Sequence, residues 1–251
     1  MKKLLPALIL SLIFQFSYAQ NTRLKDKNGI GWYVLNAGLK LDDKWSLAGE
    51  FQWRRANLIS DPQQNVFKAA INRVILPGLN IRAGYALAET YNYGAYPLNN
   101  LGKQFTEHRM YEMVALNNKI GIAENNHRFM LEQRWVGRYS NPSLAKEDEY
   151  VYTNRFRYMY RLQIPLKGRE ITDKTPYAAV YDEILIGFGK NVNENVFDQN
   201  RLGVLLGYRF SPKVRIEGGF LSQIAQLGRE IDGRNVFQHN SGLIVSTNLN
   251  F

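Results

Sequence analysis

Residues 237–251 read FQHNSGLIVSTNLNF, and this stretch decides the fold because its side chains alternate along an extended strand. Counting back in twos from the last residue gives one mostly apolar face: Leu243, Val245, Thr247, Leu249 and Phe251. The other face is mostly polar and carries several Asn and Ser side chains. Such a strand separates an apolar environment from a polar one. The rest of the chain therefore has to supply strands with the same two faces.

The final strand resembles the carboxy-terminal signal of bacterial outer-membrane β-barrels, in which a strand of this kind stops on an aromatic residue. The positions that carry the resemblance are Leu249 and Phe251. The resemblance implies that this strand closes a transmembrane barrel, with lipid outside and water or packed polar groups inside. The expected partners are outer-membrane lipids and the barrel-assembly machinery, which would recognise this strand. The sequence sets no oligomeric state.

The first 19 residues have the features of a secretory signal peptide. Lys2 and Lys3 precede an apolar run over residues 4–16, and small residues lead to Ala19. We predict cleavage near Ala19, which leaves residues 20–251 as a single outer-membrane β-barrel domain. The sequence contains no cysteine, which excludes disulfides and a lipid-modified amino-terminal cysteine. The expected location is the outer membrane of a Gram-negative bacterium.

The composition argues against several other classes of protein. After the signal peptide, no stretch approaches the roughly 18 apolar residues of a membrane helix. The net charge is +10, but the basic residues alternate within strands and form no single tract, which argues against a nucleic-acid partner. With three histidines, no cysteine and no glycine-rich phosphate loop, the sequence predicts neither a metal site nor a cofactor.

Alternation recurs in eleven segments between residue 31 and the end of the chain. The turn signal PGLN at residues 77–80 and similar polar breaks separate these segments. Bacterial single-chain barrels have even strand numbers. The expected fold is therefore an all-β transmembrane antiparallel β-barrel of about 10 to 12 strands, with 12 preferred.

Three regions are less regular than the rest. In the fifth segment, residues 106–123, the charges of Glu107, Arg109 and Glu112 do not share one face, which suggests a bulge or a locally open wall. The polar linker at residues 94–104 is predicted to be an extracellular loop, because outer-membrane barrels place their longer loops outside. Residues 227–235 are predicted to be the loop before the closing strand.

Five further segments resemble a family of uncharacterised outer-membrane β-barrels that is common in Bacteroidota and known only as a domain of unknown function. They are DKWSLAGEFQWR at 43–54, HRFMLEQRW at 127–135, NRFRYMYRLQIPL at 154–166, YAAVYDEILIGFG at 177–189 and DQNRLGVLLGYRFSP at 198–212. The resemblance spans nearly the whole chain after the signal peptide and implies the fold and the location, but no activity. Glu112, and His239 with Ser241, depart from the family pattern.

Charged residues recur on the face opposite the apolar one, and this face would line the lumen. The thirteen candidates for lumen ion pairs or pore-lining groups are Glu50, Arg54, Arg82, Arg128, Glu132, Arg134, Arg155, Arg157, Glu183, Arg201, Arg209, Arg215 and Glu217. Because an unpaired buried ion is costly and guanidinium groups suit carboxylates on neighbouring strands, the main expectation is a structural barrel whose lumen is largely filled by ion pairs. The alternative is a small porin-like passive channel for anions or small polar solutes.

His239 and Ser241 raise a third possibility, a lipid-modifying outer-membrane esterase. Residues two apart on a strand share a face, and their parity with Phe251 points both side chains toward lipid. The arrangement is similar to that of the outer-membrane lipid A deacylase, in which a serine nucleophile and a histidine base act from the barrel exterior. No acid follows Ser241, and the nearest by sequence are Glu230 and Asp232. We therefore predict no catalytic residues and no enzymatic activity.

Overall fold

The computed structural model describes residues 23–192 and 195–251, so the predicted signal peptide lies outside the described residues. Eleven strands in this part of the chain form one closed barrel, in which each strand pairs with its neighbours in sequence. The strands are β1 (Leu24–Lys40), β2 (Trp45–Ala56), β3 (Asp61–Leu76), β4 (Leu79–Thr90), β5 (Phe105–Ile120), β6 (Ala123–Arg138), β7 (Glu149–Pro165), β8 (Thr175–Phe188), β9 (Phe197–Arg209), β10 (Val214–Ile231) and β11 (Arg234–Asn250). Residues 23–192 and 195–251 contain no helix that is long and apolar enough to cross a membrane.

The barrel closes through a parallel pair. β1 and β11 run side by side in the same direction, from Leu24 opposite Val236 to Gly38 opposite Asn250, whereas every other neighbouring pair is antiparallel. When an odd number of strands is connected up and down, the first and last strands point the same way and have to meet in parallel. The eleven segments seen in the sequence are confirmed, and the preference for twelve strands was wrong because it presupposed an antiparallel closure.

The two ends of the barrel differ in their connections. We call one end the turn end; it holds residues 41–44, 77–78, 121–122, 166–174 and 210–213. We call the other the loop end; it holds residues 57–60, 91–104, 139–148, 189–192, 195–196 and 232–233. β1 starts at the loop end and β11 finishes at the turn end, so the two ends of the described chain lie at opposite rims.

Two irregularities differ from the sequence prediction. β5 pairs with β4 and β6 in an unbroken register, so the suggested bulge or open wall is wrong: Glu107 and Arg109 point inward and Glu112 points outward. The predicted loop at residues 227–235 is mostly strand, with a register shift between Gln226 and Glu230. The two-residue turn there is Asp232-Gly233, whose φ values of 52° and 67° suit a tight hairpin that needs positive φ at both positions.

The outer face of the barrel is apolar along its middle. Large aliphatic and aromatic side chains are exposed there on every strand, among them Leu47, Phe67, Val204 and Phe220. Aromatic pairs lie near both rims. Tyr33 and Trp53, on β1 and β2, have ring centroids 5.3 Å apart toward the loop end, and Tyr208 and Phe210 are 4.6 Å apart toward the turn end. The apolar side chains that alternate with polar ones along each strand therefore form the outer wall of the barrel.

The inner face is packed closely where tyrosine rings lie over glycines of the next strand. A Cβ atom at Gly203 would lie 2.1 Å from the Tyr181 ring, and one at Gly207 would lie 2.3 Å from the Tyr177 ring. These contacts explain why glycines fall on the inner face of β9, and they hold the two rings against the wall.

Candidate functional site: the charged lumen

The structure places all thirteen candidate lumen residues on the inner face of their strands. It also places seven charged residues there that the sequence analysis left out of the candidate set: Asp26, Lys68, Glu107, Arg109, Arg138, Arg161 and Asp198. Lys68 could have been found, because it shares a face with Val66 and the inner residues that follow it. Asp198 could not be found by parity, because a register shift between β8 and β9 turns it inward.

A continuous network of ion pairs lies on the inner faces of β5 to β9, and we call it the septum. It consists of six arginines and four carboxylates: Arg109, Arg128, Arg134, Arg155, Arg157, Arg201, Glu107, Glu132, Glu183 and Asp198. At its centre, Glu132 is 1% exposed and accepts hydrogen bonds from Arg155 Nε at 2.6 Å and from Arg157 Nη1 at 2.8 Å. The septum therefore ties five consecutive strands, β5 to β9, to one another.

Glu183 serves three arginines at once. Its carboxylate lies 2.6 Å from Arg128 Nη2, 2.7 Å from Arg157 Nη2 and 3.3 Å from Arg201 Nη1. One negative charge thus faces three positive ones, which leaves an excess of positive charge on this side of the septum.

The other side of the septum is built on Glu107 and Asp198. Arg109 holds Glu107 with two parallel hydrogen bonds of 2.7 and 2.8 Å, the bidentate geometry that guanidinium groups favour. Arg134 donates to Glu107 and lies 3.9 Å from Asp198, which also accepts a hydrogen bond of 2.7 Å from Arg155. Asp198 therefore joins the Glu107 and Glu132 parts of the network.

Trp32 is inserted between two cations beside the septum. The guanidinium carbon of Arg54 lies 3.8 Å from the Trp32 ring centroid, and that of Arg201 lies 5.1 Å from it. The Trp32 indole donates to Gln63 at 2.8 Å, and Arg54 donates to Gln64 at 2.7 Å. Arg54 makes no ion pair within the described residues, so the face of the indole and amide oxygens stabilise its charge.

The lumen is divided into two chambers. The loop-side chamber has a volume of about 460 Å³ and lies between the septum and the loop end. The turn-side chamber has a volume of about 800 Å³ and lies between the septum and the turn end. Trp32, Arg54 and Arg201 line both chambers, so this layer of side chains separates them.

The loop of residues 91–104 folds into the mouth of the loop-side chamber. The Tyr93 hydroxyl donates to Gln238 at 2.7 Å and accepts from Asn240 at 3.0 Å. Burial raises the pKa of Tyr93 above its ordinary value, so the hydroxyl keeps the proton that it donates. Farther out, Arg229 donates to the Pro97 carbonyl at 2.7 Å. The loop is therefore anchored across the barrel mouth as a plug.

His239 and Ser241 lie on the outer face, as their parity predicted. In the neighbouring strands, His239 is opposite Ile224 and Lys27, and Ser241 is opposite Ser222 and Gly29. None of these four positions offers a carboxylate to orient the imidazole. The structure thus brings the two side chains to one face but places no acid beside them.

One comparison with known proteins identifies a family. A family model described as "Protein of unknown function (DUF2490)" matches residues 30–232, from within β1 to the turn after β10. No curated protein is significantly similar to the chain. Because the matched region covers most of the sequence and nearly every strand, the chain belongs to the DUF2490 family of proteins of unknown function.

Proposed function

We propose that this protein is a structural outer-membrane β-barrel with a closed, non-conducting lumen. The septum is the observation that carries the proposal, because it places paired and buried charges between the two chambers of the lumen. Glu107, Glu132 and Glu183 are each at most 3% exposed, so little water reaches the paired groups. A solute that passed through would have to separate these pairs, which is costly in a narrow interior.

The outer membrane is the proposed location because of the outer wall. An apolar band between two rims of aromatic side chains is the surface that a lipid bilayer requires of a barrel. The resemblance of the five sequence segments supports the same location, and we propose from it that the family consists of outer-membrane barrels common in Bacteroidota. Fractionation of the native cell tests this proposal: the protein should separate with the outer membrane, and recovery in the cytosol would contradict it.

Planar-bilayer recording of the full-length protein tests the closed lumen. We expect little or no stable current from the natural sequence. Discrete conductance with a preference for anions would instead make the protein the passive channel for anions or small polar solutes that the cationic chambers also suit.

A pair of variants shows which part closes the lumen. Shortening the loop of residues 91–104 removes the plug and keeps the septum. Replacing Glu132 and Arg155 together by alanine removes paired charges and keeps the plug. If the septum is the barrier, the first variant stays silent in the bilayer and the second gives a measurable current. Current from the shortened-loop variant alone would assign closure to the plug.

A further inference from the structure

The turn-side chamber has a strong excess of positive charge. Ten cationic side chains and five carboxylates line it. The inner carboxylates already have partners: Glu50 accepts from Lys68 at 2.7 Å, and Glu217 accepts from Tyr177 at 2.7 Å and from Arg161. Since Glu183 is shared by three arginines, the acidic groups of this chamber cannot neutralise the remaining cations.

Two arginines on opposite walls of the chamber make no ion pair within the described residues. Arg82, on β4, donates to the Asn72 side chain, and Arg215, on β10, lies with its guanidinium carbon 5.4 Å from the Tyr177 ring centroid. Going round the barrel in either direction, about half of the strands separate β4 from β10. The chamber is therefore flanked by two guanidinium groups that pair with no carboxylate of residues 23–192 and 195–251.

A third arginine supplies an independent observation. Arg128 uses Nη2 on Glu183, but its Nε is buried and has no hydrogen-bond acceptor in the described part of the chain. Buried donors are almost always satisfied, and one left unsatisfied is destabilising. Nε itself is closed to solvent, but the Arg128 side chain as a whole is 28% exposed and lines the turn-side chamber, so a ligand there can pair with the exposed part of its guanidinium group.

We infer that the turn-side chamber is a binding site for a small molecule that carries an oxyanion group, either phosphate or carboxylate. The guanidinium groups of Arg82, Arg128 and Arg215 are the donors, because their planar forks match the oxygens of both groups. The chamber volume of about 800 Å³ lies within the range of small-molecule sites. The ligand enters from the turn end, because residues of that rim line the chamber. The inference does not depend on the barrel being non-conducting.

Isothermal titration of the full-length protein in detergent micelles tests the site, with inorganic phosphate and citrate as separate probes in sodium chloride. We expect saturable binding of at least one probe with one site per chain. Binding of phosphate alone assigns the ligand to the phosphate class, and binding of citrate alone assigns it to the carboxylates. Binding of both probes shows that the site recognises the oxyanion group that phosphate and citrate share.

Three variants locate the site within the barrel. Arg82→Gln and Arg215→Gln leave no carboxylate unpaired, so they should fold, and each should weaken binding by roughly tenfold or more. Arg138→Gln is the matched control, because Arg138 lines the loop-side chamber and makes no ion pair within the described residues; binding should be unchanged. Heat-dependent migration on a gel checks that each variant is folded. If neither probe binds saturably, or if Arg138→Gln weakens binding as much as the other two variants do, the inference is overturned.

Discussion

Glu132 is the residue on which the septum depends most, because it is almost fully buried and accepts hydrogen bonds from two arginines, Arg155 and Arg157. Removing its charge leaves these two guanidinium groups with one acceptor fewer in a buried site. We expect Glu132→Gln to lower the free energy of unfolding by about 3–5 kcal/mol, as is usual when one partner of a buried ion pair is lost. Urea unfolding in lipid vesicles, followed by tryptophan fluorescence, measures the change.

Glu112 provides the matched control for this substitution. It lies on the outer face of β5, and its carboxylate accepts one hydrogen bond of 3.1 Å from Gln133. Glu112→Gln removes a charge that makes no ion pair within the described residues and that lies on the face proposed to meet lipid, so we expect no loss of stability. An equal loss of stability in both variants would mean that the septum does not hold the barrel together.

Ser241 is the residue that tests whether the barrel has a catalytic outer face. Because no carboxylate lies opposite His239 or Ser241, we expect Ser241→Ala to leave the acylation pattern of lipid A unchanged. Mass spectrometry of membranes from cells that express either form measures the pattern. If the natural sequence removes an acyl chain and Ser241→Ala restores it, the protein is a lipid-modifying esterase.

At the scale of the strands, the parallel contact between β1 and β11 depends on Gly242. A Cβ atom there would lie 1.8 Å from the carbonyl oxygen of Ile30, and this backbone atom cannot move without shifting β1. We expect Gly242→Ala to destabilise the closed barrel by about 1–3 kcal/mol, the usual effect of overpacking. The folded, fast-migrating band on an unheated gel should weaken in this variant.

Gly29 lies in the same contact and is the control. An added Cβ atom at Gly29 would have no heavy atom within 4 Å, so Gly29→Ala should give the same folded band as the natural sequence. If both variants fold equally well, β1 and β11 are not packed as closely as the structure indicates.

Most strands could be predicted from the sequence because a barrel with an apolar outer face and a polar lumen imposes a period of two on every strand. This period gave the eleven segments and the inward position of Arg134 and Glu183. The eleven segments also imply the parallel closure, which was missed because the even strand number of bacterial barrels was given more weight than the count. The period of two failed near Gln226. A register shift there interrupts the alternation of polar and apolar residues, so the sequence of this hairpin resembles that of a loop.

The septum was predictable in composition but not in its pairing. Alternation places charges in the lumen, yet it does not say which charges meet. Arg155 on β7 reaches Asp198 on β9, two strands away, and the inward position of Asp198 depends on a register shift that the sequence does not reveal. The division into two chambers depends on Trp32, which looks like one more aromatic residue in the sequence.

For the whole molecule, the two rims predict an orientation in the membrane. The natural sequence has no cysteine, so a single introduced cysteine can be labelled without background. Lys25 is exposed at the loop end and Lys213 is exposed at the turn end. Because barrels place their longer loops outside the cell, a membrane-impermeant maleimide should label Lys25→Cys on intact cells. Lys213→Cys should react only after the outer membrane is permeabilised, and the reverse pattern would mean that the barrel is inserted the other way round.

In the proposed membrane setting, the parallel contact between β1 and β11 would place the two ends of the described chain on opposite sides of the membrane. In a barrel with an even number of strands the polypeptide leaves by the rim at which it entered, so domains fused to its two ends share one compartment. Here β1 starts at one rim and β11 finishes at the other. A reporter fused ahead of β1 and a second reporter fused after β11 would therefore stand in different compartments, so one polypeptide would connect cargo on the two faces of the same membrane.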